Sequence, residues 1–533
     1  MKLSANRFRL DAIRNLNSML QQSLPLSVTG AFPTLFLDYI AQKDLLQPFY
    51  GLYPTIENFK KQIDLKQTDT ATRGALVAAL ERQYAAVSEK PDLQILAQSN
   101  TFTVTTGHQL NIFTGPLYVI YKIITVINLA RQLKAAYPDF NFVPVYWMAT
   151  EDHDFEEISY FNLFGKKYTW QTQQKGAVGR MNPRELGEAL KILPERLPLF
   201  EKAYLQHDNL ADAVRCYINE LFGNEGLICI DGDDADLKKL LLPVIEDELF
   251  NQNSYAAANQ NTQQIEALGY HPQISAREIN LFYLDDQLRE RLVLEGDAYH
   301  VLNTNLRFSK EEITKIAQQH PEKFSPNVVL RPVYQEMILP NLAYIGGPSE
   351  VPYWLQLRRV FSHFSVPFPI LLPRNFGLYV NATSQKRLEK LGVSIEELFG
   401  DEAKLRKRFV EQNSTATLTL AEEKISFQTL FAAILEKALL VDKSLEGTVN
   451  AEKTKLQNSL ENLEKRIQKA EERHYETELN QLLGVKNKLF PKGGLQERSD
   501  NFLNFYLNDS TFLSKLLAAF DPLDFRFNLL IEQ

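Results

Sequence analysis

Four polar clusters carry ligand-type side chains at spacings that could do chemistry. In the first, Thr106-Gly107-His108-Gln109, followed by Asn111 and Gly115, comes after a short β-type run (Thr101 to Thr105) and before a long apolar helix pattern beginning at Pro116. A strand, a Gly-containing polar turn and a helix N-terminus together make a site for phosphate or carboxylate, because free N–H groups and the positive end of the helix dipole face the turn. Gly107 would let the backbone approach a ligand, while His108 and Gln109 offer donors to a developing oxyanion. Lys122, two turns into the helix, could reach back. The spacing matches neither the Gly-Lys-Ser/Thr phosphate loop nor Gly-x-Gly-x-x-Gly.

The second cluster is Glu151-Asp152-His153-Asp154-Phe155-Glu156-Glu157, directly after an apolar run, 142 to 149. In open α/β sheets, ligands bind beyond the carboxyl ends of the strands, where strand order reverses. Carboxylates there can bind an amino group, deprotonate a nucleophile or hold Mg2+, and His153 can act as acid or base. A metal phosphohydrolase built on His153-Asp154 is rejected, because such pairs sit in all-helical domains. The third cluster joins Arg331, Gln335 and Glu336 to a Gly346-Gly347 turn followed by Glu350 and Tyr353; Arg331 suits a bidentate carboxylate. The fourth, Phe490-Pro491-Lys492-Gly493-Gly494, with Arg498 beyond, has the cations of a second nucleotide pocket and equally the residues of a helix terminator.

These clusters need a scaffold. Val119, Ile123, Val126, Ala130 and Leu133 form one apolar stripe, with Ile120, Ile124 and Ile127 beside it, so the helix from Pro116 to about 136 is buried against a sheet. Residues 101 to 149 therefore read as a βαβ unit of a doubly wound parallel α/β sheet. Further strands are predicted at 226–231, 280–284, 327–333 and 366–372, with insertions near 160–220 and 250–325. Residues 1–98 read as a helical region packing on the core, with one helix over Ala75 to Val87. The core spans 99–380, a helical domain 381–510, and a C-terminal segment, 511–533, packs back on the core. Val449, Leu456, Leu460, Leu463, Ile467 and Ala470 follow steps of seven, four, three, four and three, the seam of a coiled coil that serves an antiparallel helix pair or a dimer.

The formal net charge of −8 disfavours nucleic-acid binding, and no apolar run reaches the length of a membrane span. Cys216 and Cys229 are too few for a disulfide framework and sit in core-like patterns. With no signal-peptide pattern, a cytoplasmic enzyme is expected.

Taken in order, TTGHQLNIFTGPLYVIYK, VPVYWMATEDHDFEEI, LRPVYQEMILPNLAYIGGPSEVPYW and LFPKGGLQER resemble the BshC family of bacillithiol synthesis, over residues 105 to 498. The resemblance implies a Rossmann-like core with connecting-peptide insertions and a coiled-coil domain that mediates homodimerisation. It also implies a ligase joining L-cysteine, through its carboxyl, to the amino group of glucosaminyl-malate. Activating a free carboxylate calls for ATP, with Mg2+ as its companion. The family's core is similar to class I aminoacyl-tRNA synthetases, whose His-x-Gly-His turn has Gly107-His108-Gln109 in its place here; Arg307-Phe308-Ser309-Lys310 is the nearest echo of their second signature. The expected catalytic set is His108, Gln109, Asp152, His153 and Asp154. Thr106, Gly107, Asn111, Gly115, Lys122, Trp147, Glu151, Arg331, Gln335, Gly346, Gly347, Glu350 and Tyr353 are expected to bind substrate, and no resident metal is expected. A synthetase-like enzyme acting on another amino acid or on transfer RNA, and a non-catalytic coiled-coil ligand sensor, are the competing readings.

Overall fold

The computed structural model describes residues 19–416 and 418–533. Of the helical region expected over 1–98, residues 1–18 therefore lie outside the described residues. Two compact units form: one takes the described residues up to Ser27, Ala31–Tyr379 and Gly494–Leu530, the other Val28–Gly30, Val380–Gly493 and Ile531–Gln533.

The first unit is built on five parallel strands, β1 (Thr101–His108), β2 (Asn141–Met148), β3 (Ile228–Asp231), β4 (Asn341–Gly346) and β5 (Ile370–Pro373). Their spatial order is β5-β4-β1-β2-β3, every neighbouring pair running parallel. The chain thus leaves β1 in one direction through β2 and β3, then returns to the other side for β4 and β5. That is the Rossmann-like winding, and it puts the switch point between β1 and β4. Helix α1 (Tyr118–Ala136) makes the β1–β2 crossover, with thirteen of its nineteen residues buried. Val126, Leu129 and Leu133 of α1 meet Phe102, Val104, Leu342, Ile345, Ile370 and Leu372 of the sheet. Phe59 and Ile63, from helix Ile56–Leu65, close the same cluster. Coverage on both faces is why these strands read as apolar runs rather than alternating ones.

Several sequence expectations need correction. Thr106, Gly107 and His108 are the last residues of β1, so the turn starts only at Gln109. Pro116 precedes α1 instead of opening it, and the Leu117 N–H donates to the Asp500 carbonyl at 2.7 Å. That donor is consequently unavailable to a ligand. The stretch 327–333 is not a strand. Phe324–Pro326 is, and Arg331–Ile338 is helix α2, whose first turn accommodates Pro332 because that N–H needs no helical partner. The β-branched Val328, Val329 and Val333 mimicked a strand, but the Asn327 side chain accepts the Val329 N–H at 2.9 Å and turns the backbone into the helix. Central strand β4 is not among the predicted strands; Pro340 and the Gly346-Gly347 pair bracket it and mask its β pattern. The 280–284 strand exists as Leu281–Asp285, but belongs to an antiparallel insertion sheet with Leu288–Glu295, Ala298–Val301, Arg307–Phe308 and Phe324–Pro326. Within 1–98, Met19–Leu24 is a strand; the helix expected over Ala75 to Val87 runs Thr70–Gln83, capped by the Asp69 side chain.

Polar groups tie β1 to β4. Asn341 Oδ1 accepts from the hydroxyls of Thr103 (3.2 Å) and Thr105 (2.8 Å), while its amide donates to Glu336 Oε1 at 2.6 Å. Glu336 also pairs with Lys66 at 3.4 Å, and both side chains are almost fully buried.

In the second unit, helices Ala421–Val441 and Leu445–His474 fold back on each other, as the Lys424–Glu464 pair at 2.6 Å shows. This pair is the coiled coil. Its seam is thin: Phe431 is the single buried residue of the first helix, none of the second is buried, and Leu456 and Leu463 remain 44% and 50% exposed.

Glu336→Ala would strand the Lys66 ammonium in the core and orphan the Asn341 amide. Breaking a buried pair from one side costs about 3–5 kcal/mol. The thermal midpoint of the Glu336→Ala chain should therefore fall by several degrees in calorimetry, and an unchanged midpoint would refute the role given to this pair.

Candidate active site

The carboxyl ends of β1, β2 and β4 open into a cavity of about 1020 Å³, at the point where strand order reverses. Gly107, His108 and Gln109 come from β1 and its loop, Trp147 and Glu151 to Asp154 from β2 and its loop, and Arg331, Glu350 and Tyr353 from the helices flanking β4. Residues more than 240 positions apart in the chain thus share one wall. A Cβ on Gly107 would sit 3.3 Å from the Tyr344 hydroxyl and 3.6 Å from Arg331 Nη1, so a larger residue here would press on the Tyr344 side chain.

Gln109 is the hinge of the acidic side. Its amide donates to Asp152 Oδ2 at 2.8 Å and to Glu157 Oε2 at 2.6 Å. Asp152 Oδ1 accepts the backbone N–H groups of His153 (2.7 Å) and Asp154 (3.3 Å), with Arg289 Nη1 at 3.8 Å. Burial works to raise the Asp152 pKa, but the Gln109 amide, the Arg289 charge and these N–H groups outweigh it and hold the carboxyl below its ordinary value. Asp152 is therefore a carboxylate at neutral pH. Glu151 differs: burial raises its pKa, although Lys238 is ion-paired with it.

The other side is cationic. Lys122 lies beneath the floor, donating to the Gly107 carbonyl at 2.8 Å and to Glu350 Oε1 at 2.5 Å. Glu350 is further held by the Gly347 N–H at 3.0 Å. Arg331 is clamped through uncharged partners, Gln335 Oε1 at 3.0 Å and the Tyr353 hydroxyl at 3.5 Å, and stands near the Trp147 and Tyr344 rings. Its charge is left for a ligand. Arg498 also lines the cavity, beside the Tyr118 ring. Arg374, ion-paired at 2.6 Å with buried Glu497, stacks on that ring from elsewhere. Burial, then the charges of Lys122 and Arg374, push the His108 pKa well below 6.5, so the imidazole is neutral. Its Nε2 lies 3.5 Å from the Tyr118 hydroxyl, whose pKa is pushed up to about 12 by burial and Glu350.

Other expected site residues support the cavity without lining it. The Thr106 hydroxyl is spent on the Ile345 carbonyl at 2.8 Å. The Asn111 amide donates to the Glu157 carbonyl at 2.9 Å; Gly115, at φ +64°, is required because a Cβ there would lie 2.5 Å from that of Asn111. Gln335 and Gly347 act by holding Arg331 and Glu350, and Gly346 ends β4 beside the Glu350 side chain. Phe490, Pro491, Lys492 and Gly493 lie in the second unit, with Phe490 packed on Phe399, whereas Gly494 and Arg498 lie in the first. Arg498 thus lines the main cavity.

Sequence reasoning missed Tyr118, Tyr344, Ser349 and Asn327, and above all Arg277, Arg289 and Arg291. Alternation of Arg289, Glu290 and Arg291 was the available signal, since period two puts both arginines on one strand face. Nothing linear said that this insertion strand would face the core.

Both cavity histidines titrate below their free value: burial and then Arg289 lower His153 as well. With the folded pKa below the unfolded one, the unfolded chain takes up protons first as pH falls through 6.5, and stability is lost on that side. His108→Gln should therefore narrow the difference in melting temperature between pH 7.5 and pH 5.5. An unchanged difference would show that His108 is not held neutral.

The model of the "Bacillithiol biosynthesis BshC, N-terminal Rossmann-like domain" family matches residues 19–375, and that of the "Bacillithiol biosynthesis BshC, C-terminal coiled-coil domain" family matches 377–532. A protein of Flavobacterium johnsoniae named "Putative cysteine ligase BshC" is 45% identical, over 94% of this chain and 98% of its own. Proteins of the same name from Cytophaga hutchinsonii and Chlorobaculum tepidum are 41% and 30% identical, covering 95% and 90% of this chain, and 98% and 92% of theirs. With both domain models and full-length relatives in agreement, the chain belongs to the BshC family of bacillithiol biosynthesis.

Proposed function

We propose that this chain is a cysteine ligase that joins the carboxyl of L-cysteine to the amino group of glucosaminyl-malate, forming bacillithiol. One observation carries the reading: a single cavity holds an ionised carboxylate, Asp152, on one side and unneutralised Arg331 with neutral His108 on the other. An amide ligase needs both, one for the amine and one for the carboxylate that is activated and then attacked.

In this reading Gln109 aims Asp152 and Glu157 at the substrate ammonium, and the amine attacks once its proton has passed to Asp152. Arg331, its fork held by Gln335 and Tyr353, binds the cysteine carboxylate. His108 and the Arg498 guanidinium face the same space and stabilise charge that develops as the carbonyl is attacked. His153 is a donor, not the base. Arg289 Nη1 lies 2.8 Å from its Nδ1, and arginine only donates, so the imidazole proton sits on Nε2. Activation of the carboxylate comes from ATP as cosubstrate, whose phosphates would face the cationic side formed by Arg331 and Arg498, with neutral His108 beside them as a hydrogen-bonding group. The described residues contain no cluster of three or more metal-ligating side chains. Mg2+ would therefore arrive with the phosphates and take at most one or two carboxylates, such as Asp154 and Glu157, in keeping with its preference for water and phosphate oxygen.

The exposed Ile425, Leu430, Leu440, Val441, Leu456 and Leu463 of the long helix pair support a homodimer formed through the coiled coil. A cytoplasmic location accords with the small-molecule chemistry. No helix among the described residues is long and apolar enough to cross a membrane.

His108→Ala and Asp152→Ala, assayed separately with L-cysteine, glucosaminyl-malate and ATP, should each lower kcat by about 10²-fold or more while the chain stays folded. Near-normal bacillithiol formation by either folded variant would overturn the residue roles. Cells lacking the protein should lose bacillithiol and accumulate its amine precursor; unchanged thiol content would overturn the activity itself.

A further inference from the structure

The insertion wall of the cavity is not used by the chemistry above, yet it carries three arginines, Arg277, Arg289 and Arg291. Arg289 and Arg291 stand two residues apart on the strand Leu288–Glu295, so both project from one face. Phe282 lies directly across the ladder from Arg291, and its ring supports the Arg289 guanidinium at 4.0 Å. Arg289 is also pinned from behind: Nε donates to Ser325 Oγ at 3.0 Å and Nη1 to His153 Nδ1 at 2.8 Å. Its position is therefore set before any ligand arrives. By contrast, among the described residues neither Arg277 nor Arg291 has a carboxylate partner within ion-pair distance, and Arg277 meets Asn280 only through its backbone.

Of the five acidic residues that line the cavity, Glu151 is paired with Lys238, Glu350 with Lys122, and Asp152 lies 3.8 Å from Arg289, while Asp154 and Glu157 have no cationic partner at ion-pair distance among the described residues. Asp152 and Glu157 share the Gln109 amide. Two guanidinium forks and the His153 Nε2–H thus face the cavity unspent, next to the carboxylate assigned to the amine. Each fork matches one planar carboxylate in a bidentate way. Two such forks, one on the strand beside the pinned Arg289 and one on the loop before Leu281, suit a ligand with two carboxylates on adjacent carbons better than one compact phosphate.

We propose that Arg277, Arg289 and Arg291, with His153 Nε2–H, form a dicarboxylate receptor that anchors the acidic end of the amine substrate. In the reaction proposed above, on which the naming of the substrate rests, this is the malyl group of glucosaminyl-malate. Anchoring there would deliver the amino group towards Asp152, whose Oδ1 is 3.8 Å from Arg289 Nη1. Selectivity for the amine then resides in the insertion, while the Rossmann-like core handles cysteine.

The test uses the full chain and three probes at equal ionic strength: L-malate, inorganic phosphate and L-lactate. Calorimetric titration should show L-malate binding, with phosphate and the monocarboxylate at least tenfold weaker. Arg277→Gln and Arg291→Gln remove side chains without structural partners, so these variants should melt as the parent does. Each should weaken L-malate binding about tenfold or more, the loss expected for one charged hydrogen-bonding group. KM for glucosaminyl-malate should rise in step, with kcat and the KM for cysteine little changed. Unaltered malate affinity in the double variant overturns the receptor, as does phosphate binding where malate does not. Arginine-dependent malate binding in a chain that makes no bacillithiol would support the receptor and refute the reaction. Turnover with an unaltered KM in the double variant would do the reverse.

Discussion

The parallel pairing of β1 with β4 is the constraint on which the rest of the first unit depends. These strands are over 230 residues apart in sequence, and Asn341 pairs with Thr103 across them. A pairing so distant pays a large loop-closure entropy, which non-specific burial of apolar strands alone would not direct to one register. Asn341 supplies direction: its carbonyl collects two threonine hydroxyls of β1, and its amide meets Glu336 from α2. A slip by one residue would bury each of these groups unpaired, and a buried unpaired polar group is expensive. The same register sets Gly107 against Tyr344 and Arg331. Strand register and site geometry therefore have one cause.

Charge in the cavity is arranged by giving most acids a structural partner and leaving selected cations without one. Lys122 and Lys238 lie under the floor and neutralise Glu350 and Glu151. Arg331 is held by an amide and a phenol, which fix its direction without lowering its charge. In a cavity with low-dielectric walls, such placement makes the field local: an ammonium is favoured beside Asp152, and a carboxylate beside Arg331 or the insertion arginines. The neutral state of His108 follows from the same field, since a protonated imidazole would face Lys122 and Arg374.

Much of this was legible in the linear chain. The strand–helix–strand unit over 101–149 stood out because its residues are buried on both faces and so carry a continuous apolar signal. Gly107, His108, Gln109, Asp152, Arg331 and Glu350 stood out because polar residues at the ends of such strands have few structural reasons to be there. Less legible were the residues whose roles depend on a partner far away. Thr106 has the same sequence context as Gly107, yet its hydroxyl is spent on the Ile345 carbonyl of the neighbouring strand β4. Val328, Val329 and Val333 gave a β-type pattern that Asn327 and Pro332 override locally.

By itself, then, the sequence determined the class of fold, the crossover helix, the long helix pair and the loops that carry reactive side chains, since periodicity and local turn chemistry act over a few residues. Only the tertiary structure decided that β4 is central, that the two loops meet at the switch point between β1 and β4, and that an insertion strand faces the core with its arginines. Each of these depends on contacts between residues from 43 to more than 230 positions apart, and a linear pattern carries no term for such distances. The proton on His153 Nε2 belongs to the same class: it is set by Arg289, 136 residues away.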